Sequence, residues 1–167
     1  LLLLALAPAS VLAQEVTAAA AGLGMSVVHV PEHTVPYGRS HIHVWAAKFV
    51  CGVQEVDGVD DTETVDVVHE TFVNIVNFDP RNTITFEKKF VVANPQGEPR
   101  GPVTPPVKES LRPNEAVEVD CETIWTALQL LPGTFVKGFV VLESARKNLE
   151  VVAVYKVVHK QVEVATP

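Results

Sequence analysis

The chain has 167 residues, 47% hydrophobic and 20% charged, a balance that excludes a disordered tail and a collagen-like or low-complexity polymer. Twenty acidic side chains against thirteen basic ones give a formal net charge of −7, so no cationic excess is present to neutralise phosphates and no nucleic-acid partner is expected. The length suits one domain.

Residues 1–13 carry no charge, open with Leu1-Leu2-Leu3-Leu4-Ala5-Leu6 and close with Val11-Leu12-Ala13. A signal peptide needs an apolar stretch of about 7 to 15 residues and small side chains before the cut, and this segment reads as its C-terminal part, cleaved before Gln14. No initiator Met and no basic segment precede it, so the sequence is expected to begin inside a precursor. The run is shorter than the roughly 18 to 20 residues that span a bilayer. After cleavage no membrane insertion is expected, and the product is assigned to the extracellular or periplasmic space.

Residues 14–40 form an N-terminal arm. Its stretch 17–30 is small and uncharged up to His29, too poor in bulk to build a core. It reads either as a linker or as an extended strand donated to a neighbour's sheet edge.

Residues 41–167 are expected to be an all-β domain. Residues 14–167 hold 31 Val and only 7 Leu, which favours pleated packing over helices. Val-rich or aromatic runs occur at 42–53, 65–78, 83–93, 116–121, 135–143, 149–158 and 161–165, about seven strands separated by turn residues. The alternation is plainest at 83–93, where Ile84, Phe86, Phe90 and Val92 share one parity and Thr83, Thr85, Glu87 and Lys89 the other. Phe78-Asp79-Pro80-Arg81-Asn82 and Ser144-Ala145-Arg146-Lys147-Asn148 have turn chemistry and predict two hairpins. Six prolines and two glycines between Asn94 and Pro113 predict a long loop or an edge-hugging connection. One short helix is expected over about 121–131, capped by Asp120, with Ile124, Leu128 and Leu131 at helical spacing and Pro132-Gly133 ending it. Strands with a single helical crossover predict an immunoglobulin-like two-sheet sandwich.

The runs Lys48-Phe49-Val50-Cys51-Gly52, Ala116 to Cys121, Phe135-Val136-Lys137-Gly138-Phe139-Val140-Val141 and Val151-Val152-Ala153-Val154-Tyr155 resemble those of uncharacterised secreted bacterial β-sandwich proteins of immunoglobulin-like type. The similarity covers roughly residues 46–158 and implies a fold and a compartment, with no catalytic residue carried over.

Cys51 follows Phe49 in strand parity and Cys121 follows Val117 and Val119, so both thiols are expected to point inward and to form a disulfide in an oxidising compartment. His29, His33, His41 and His43 fall within fifteen residues, and a His-x-His pair on a strand projects both imidazoles from one face. They are a candidate Zn or Cu site. Asp57, Asp60, Asp61 and Glu63, with Asp66 nearby, crowd a turn containing Gly58 and are a candidate Ca²⁺ site without EF-hand order.

Ser26, Ser40, Ser110 and Ser144 lie in no Gly-x-Ser-x-Gly elbow, and no phosphate loop, zinc-protease helix or dinucleotide fingerprint is present. No enzyme and no cofactor is expected. The reading is a secreted, non-enzymatic structural or interaction protein, active in surface adhesion or extracellular assembly through strand edges, with protein partners that include copies of itself. The alternative is a His-based metal-binding protein of the periplasm or extracellular space, with a catalytic role open to it.

Overall fold

The computed structural model describes residues 16–20, 23–38, 40–57 and 64–161. In chain order the elements are β1 (Val16–Ala20), β2 (Leu23–His29), β3 (Glu32–Tyr37), β4 (Ser40–Asp57), β5 (Thr64–Asn77), β6 (Ile84–Val92), β7 (Val107–Leu111), β8 (Ala116–Val119), α1 (Cys121–Leu128), β9 (Val136–Ser144) and β10 (Leu149–Gln161). The fold is mostly β, and the ladders are antiparallel. The hydrogen-bonded order is β1-β2-β10-β5-β4-β9-β6-β7, with β3 beside β4 and β8 beside β5. Ten strands are described where about seven were expected. The additions are β1, β2 and β3, whose small or polar residues carry no core alternation, and β7 inside the proline-rich stretch. Of the run 161–165, Gln161 ends β10 and the remainder lies outside the described residues.

Strand β4 organises the rest. Trp45, Ala47, Phe49 and Cys51 are buried, while Ala46 and Lys48 between them are exposed, the period-2 pattern of a half-buried strand. At Gly52 the pattern breaks, with Cys51 and Gly52 both buried. The partner changes there too: His43 to Cys51 ladder with β9, and Gly52 to Asp57 ladder with β5. Gly52 has φ +101°, and a Cβ on it would stand 2.3 Å from the Thr134 carbonyl oxygen. No other residue fits that turn of the chain.

Beyond the point where β4 leaves β5, the Thr71 side chain replaces the missing ladder. Its hydroxyl donates to the Val50 carbonyl at 2.8 Å and accepts from the Val50 N–H at 3.0 Å. The Thr71 N–H, in turn, donates to Cys121 Sγ at 3.3 Å. Cys51 and Cys121 are disulfide-bonded as expected, with Cα atoms 5.6 Å apart, although β8 ends at Val119 and Cys121 stands on α1 instead of on the strand expected over 116–121. The bridge ties β4 beside its kink to the first residue of α1.

One buried cluster draws on strands from both sides of β4 in this order: Trp45 and Phe49 from β4, Val73 and Ile75 from β5, Phe86 and Phe90 from β6, Val140 and Leu142 from β9, Val151 and Ala153 from β10, with Ile124 of α1. Fully burying an aromatic or aliphatic side chain of this size stabilises by about 1.5–3 kcal/mol, so these strands hold one another chiefly through this cluster. Along β6 the expected alternation holds at Ile84, Phe86 and Phe90, with Val92 half-buried. Lys88 falls on the buried parity, and its ammonium is 2.9 Å from Glu109 of β7.

Neither expected hairpin forms. β5 ladders with β10, β4 and β8, whereas β6 ladders with β7 and β9; likewise β9 and β10 are not paired with each other. Residues 78–82 and 145–148 are therefore crossovers between groups of strands. The local turn is present, since Asp79 Oδ1 accepts from the Arg81 and Asn82 N–H groups at 2.9 Å. That turn reverses nothing by itself: an Asx turn redirects a chain toward whichever partner offers the longer ladder. For β5 that partner is β10, paired from Leu149↔Asn77 to Gln161↔Val65.

The helix is also shorter than its apolar spacing predicted. Asp120 caps it, accepting from the Thr123 N–H at 2.8 Å, but it ends at Leu128, where Gln129 turns left-handed (φ 58°, ψ 37°). Leu131 lies beyond the helix and is 79% exposed. The proline-rich stretch hugs the edge of β6: Val92 N–H donates to the Pro102 carbonyl, Val103 bridges to Val91, and β7 then pairs along β6.

Two outcomes follow from the kink. Opening the disulfide frees a loop spanning 70 residues of sequence separation, worth about 4 kcal/mol in the chain-entropy description. Reduction should therefore lower Tm by roughly 8–16 °C, read by calorimetry with and without reductant. Thr71→Val keeps the shape and strands both Val50 groups, so chemical denaturation should show a loss of about 2–4 kcal/mol, with Thr71→Ser losing much less.

Candidate functional site

The four clustered histidines do not converge. His41 and His43 share a face of β4, as strand geometry predicted, but His33 pairs with Val44 and sits on the opposite face, while His29 is on β2. His43 Nδ1 lies 2.7 Å from Glu32 Oε1, which also accepts from the Thr34 hydroxyl at 3.1 Å. His29 Nδ1 is 3.7 Å from Glu150 instead. Among the described residues no group of three or more His, Cys, Asp or Glu is placed to hold a metal ion. Alternation of faces along the strands sets His33 apart from His41 and His43, and Pro31 separates His29 on β2 from β3. Of the acidic cluster, Asp57 ends β4 and Asp66 pairs with Glu55 in the β4–β5 ladder; Asp60, Asp61 and Glu63 lie outside the described residues. Cys51 and Cys121 are consumed in their bridge.

The densest polar cluster was not singled out from sequence. Fully buried Asn77 donates through Nδ2 to the Asn82 and Leu111 carbonyls, both at 2.9 Å, and accepts from the Asp79 N–H at 2.8 Å. Asp79 takes two backbone donors, the Asn82 amide, and the Asn148 amide at 3.0 Å. The Asp79–Asn148 bond ties the two crossovers together. These side-chain groups are occupied by one another and by the backbone, so the cluster holds the fold and leaves little to offer a substrate. The Arg81 N–H above all, with Asn82 and Asn148 assisting and burial opposing, holds the Asp79 carboxyl below its ordinary range.

The arm lies on the chain's own sheet. β2 pairs with β10 from Leu23↔Val158 to His29↔Val152, β1 pairs along β2, and the Val30 N–H donates to the Val151 carbonyl at 2.9 Å. Val30 is buried, but Met25 and Val27 are 42% and 39% exposed. The next hairpin, β3 on β4, exposes Val35 and leaves Tyr37 70% exposed. Apolar side chains on peripheral strands offer both contact area and backbone for strand addition.

A second feature opens where β4 departs from β5. The β4 edge has no strand partner among the described residues between Trp45, where the β3 ladder stops, and Gly52, where the β5 ladder starts. Beside it lies a cleft of about 350 Å³ lined by Val28, Lys48, Val50, His69, Glu70, Thr71, Tyr155, Lys156 and Val157. The Tyr155 hydroxyl donates to the Lys48 carbonyl at 3.0 Å, and burial raises its pKa. The sequence places Val28 in the arm and the others on separate strand runs; their meeting depends on the kink.

Comparison with protein-family models, curated proteins and solved structures yields no match.

The Asp79 shift sets a pH dependence. The unfolded carboxyl takes up its proton near pH 4, the folded one only at lower pH, so the stabilisation is complete above that range and is lost as pH falls through the folded value. Asp79→Asn should be less stable than the parent at pH 7. Denaturation curves taken from pH 7 down to pH 2 should show the difference shrinking toward the acid end.

Proposed function

We propose that this chain is an exported, non-enzymatic interaction domain, an immunoglobulin-like sandwich that assembles with copies of itself by strand exchange at its N-terminal arm. The two-layer reading is supported by the single core shared between the strands around β5 and those around β9, with β4 crossing from one to the other. The disulfide supports an oxidising compartment. The non-enzymatic reading rests on the polar chemistry, which is concentrated in a satisfied junction.

One observation carries the assembly. β1 and β2 join the body through the β2–β10 ladder, with Val30 as the buried anchor, and Met25 and Val27 stay exposed. A strand held mainly through one ladder exchanges its partner for an identical edge at small cost, because the bonds lost in one chain are remade in the other. Reciprocal exchange closes a dimer, and head-to-tail exchange propagates a filament.

Two singly substituted chains test this. Val27 and Val154 are register partners, so Val27→Cys in one chain and Val154→Cys in another meet only if an arm lies on a neighbour's β10. Co-refolded and oxidised, the mixture should give a mixed disulfide on a non-reducing gel. Light scattering should give the parent a multiple of the monomer mass, lost on deleting residues 14–30. A monomer at every concentration, with no mixed disulfide, overturns the proposal.

A further inference from the structure

We propose that the cleft between the unpaired edge of β4 and strands β2, β10 and β5 binds a small amphiphilic carboxylate, an aliphatic chain of about eight carbons carrying one negative charge. The volume, about 350 Å³, is at the lower end of the range for small-molecule sites and equals about a dozen water-sized volumes. It therefore suits a body of about ten heavy atoms. Its walls are apolar in effect: Val28, Val50 and Val157 have no polar side chain, while the Thr71 and Tyr155 hydroxyls are already committed to the Val50 and Lys48 backbone.

What remains unmatched is polar and, where charged, positive. Of the two lysines lining the cleft, Lys156 lies 2.7 Å from Glu70, whereas Lys48 makes no ion pair among the described residues. His69 Nε2 is buried without a hydrogen-bond partner. A carboxylate head meeting Lys48, with its chain over Val28 and Val157, satisfies the charge and covers the apolar wall together. A neutral apolar molecule satisfies only the second, and a polyanion meets a single free lysine.

Titration calorimetry on the full chain with sodium octanoate, and separately with 1-octanol, tests this, with amide NMR shifts reporting location. Octanoate should bind with shifts at Val28, Thr71 and Val157, and more tightly than 1-octanol. Lys48→Gln should weaken octanoate at least tenfold and leave 1-octanol unchanged, and Lys48→Arg should restore octanoate binding. Melting curves for each variant establish that the fold is retained, and Val28→Trp should block both ligands by filling the cleft. Absence of binding at millimolar octanoate, an affinity indifferent to Lys48, or shifts centred on exposed Phe78 and Leu131 would overturn the assignment.

Discussion

The architecture depends on a single strand changing partners. β4 has β9 along one edge up to Cys51 and β5 along the other from Gly52 onward. Such a switch exposes backbone groups at the fork, and buried backbone that loses its ladder must find other partners. Three residues meet that demand together. Gly52 adopts the backbone that lets the chain turn under Thr134, Thr71 lends its hydroxyl to both polar groups of Val50, and Cys51 fixes the fork to α1 through Cys121. Each satisfies a demand created by the same divergence.

Divergence also shapes the surface. Once β4 has left β5, the sheet formed by β2, β10 and β5 continues without it, and Val28, Tyr155 and Val157 line a cleft instead of a packed interface. The same extension gives β10 enough length to pair with β2 on one side and with the whole run from Val65 to Asn77 on the other. The arm is thus attached where β10 needs a neighbour, and its outer parity remains uncovered at Met25 and Val27.

Alternation was the legible part of the sequence. Ile84, Phe86 and Phe90 point inward because side chains on a strand repeat every second residue, and the same rule turned Cys51 inward, whereas Cys121 reaches it from the first turn of α1. Partner choice was not legible. Asp79 caps its turn with the hydrogen bonds a hairpin would use, yet the turn leads to a crossover, because turn chemistry is local and pairing is decided by long-range ladders. The helix failed differently: Leu131 kept the helical spacing, but left-handed Gln129 ended the helix before the expected Pro132-Gly133 stop. The His cluster shows the limit of proximity in sequence, since His41 and His43 share a face while His33 and His29 are turned or carried away from it. Thr71 and His69 gave no signal at all, being ordinary β5 residues until the fork gives them work.

One residue, Val28, is common to both surfaces. Val28 belongs to β2, within the arm, and also lines the cleft. If the arm is exchanged between copies, Val28 on each cleft comes from a neighbouring chain, and the cleft becomes composite. A ligand covering Val28 then stabilises whichever arrangement holds β2 more firmly against β10, and by linkage assembly changes ligand affinity by the same factor that ligand changes assembly. Equal affinity for the monomeric and exchanged forms means that a ligand shifts nothing, however tightly it binds. Coupling therefore requires a difference in how Val28 meets Val157 and Tyr155 in the two forms. The β2–β10 register is identical in both, with Val28 opposite Ala153, so that difference has to arise at the arm's exit, around buried Val30 and Pro31, where a chain returning to its own body and a chain reaching to another must take different paths.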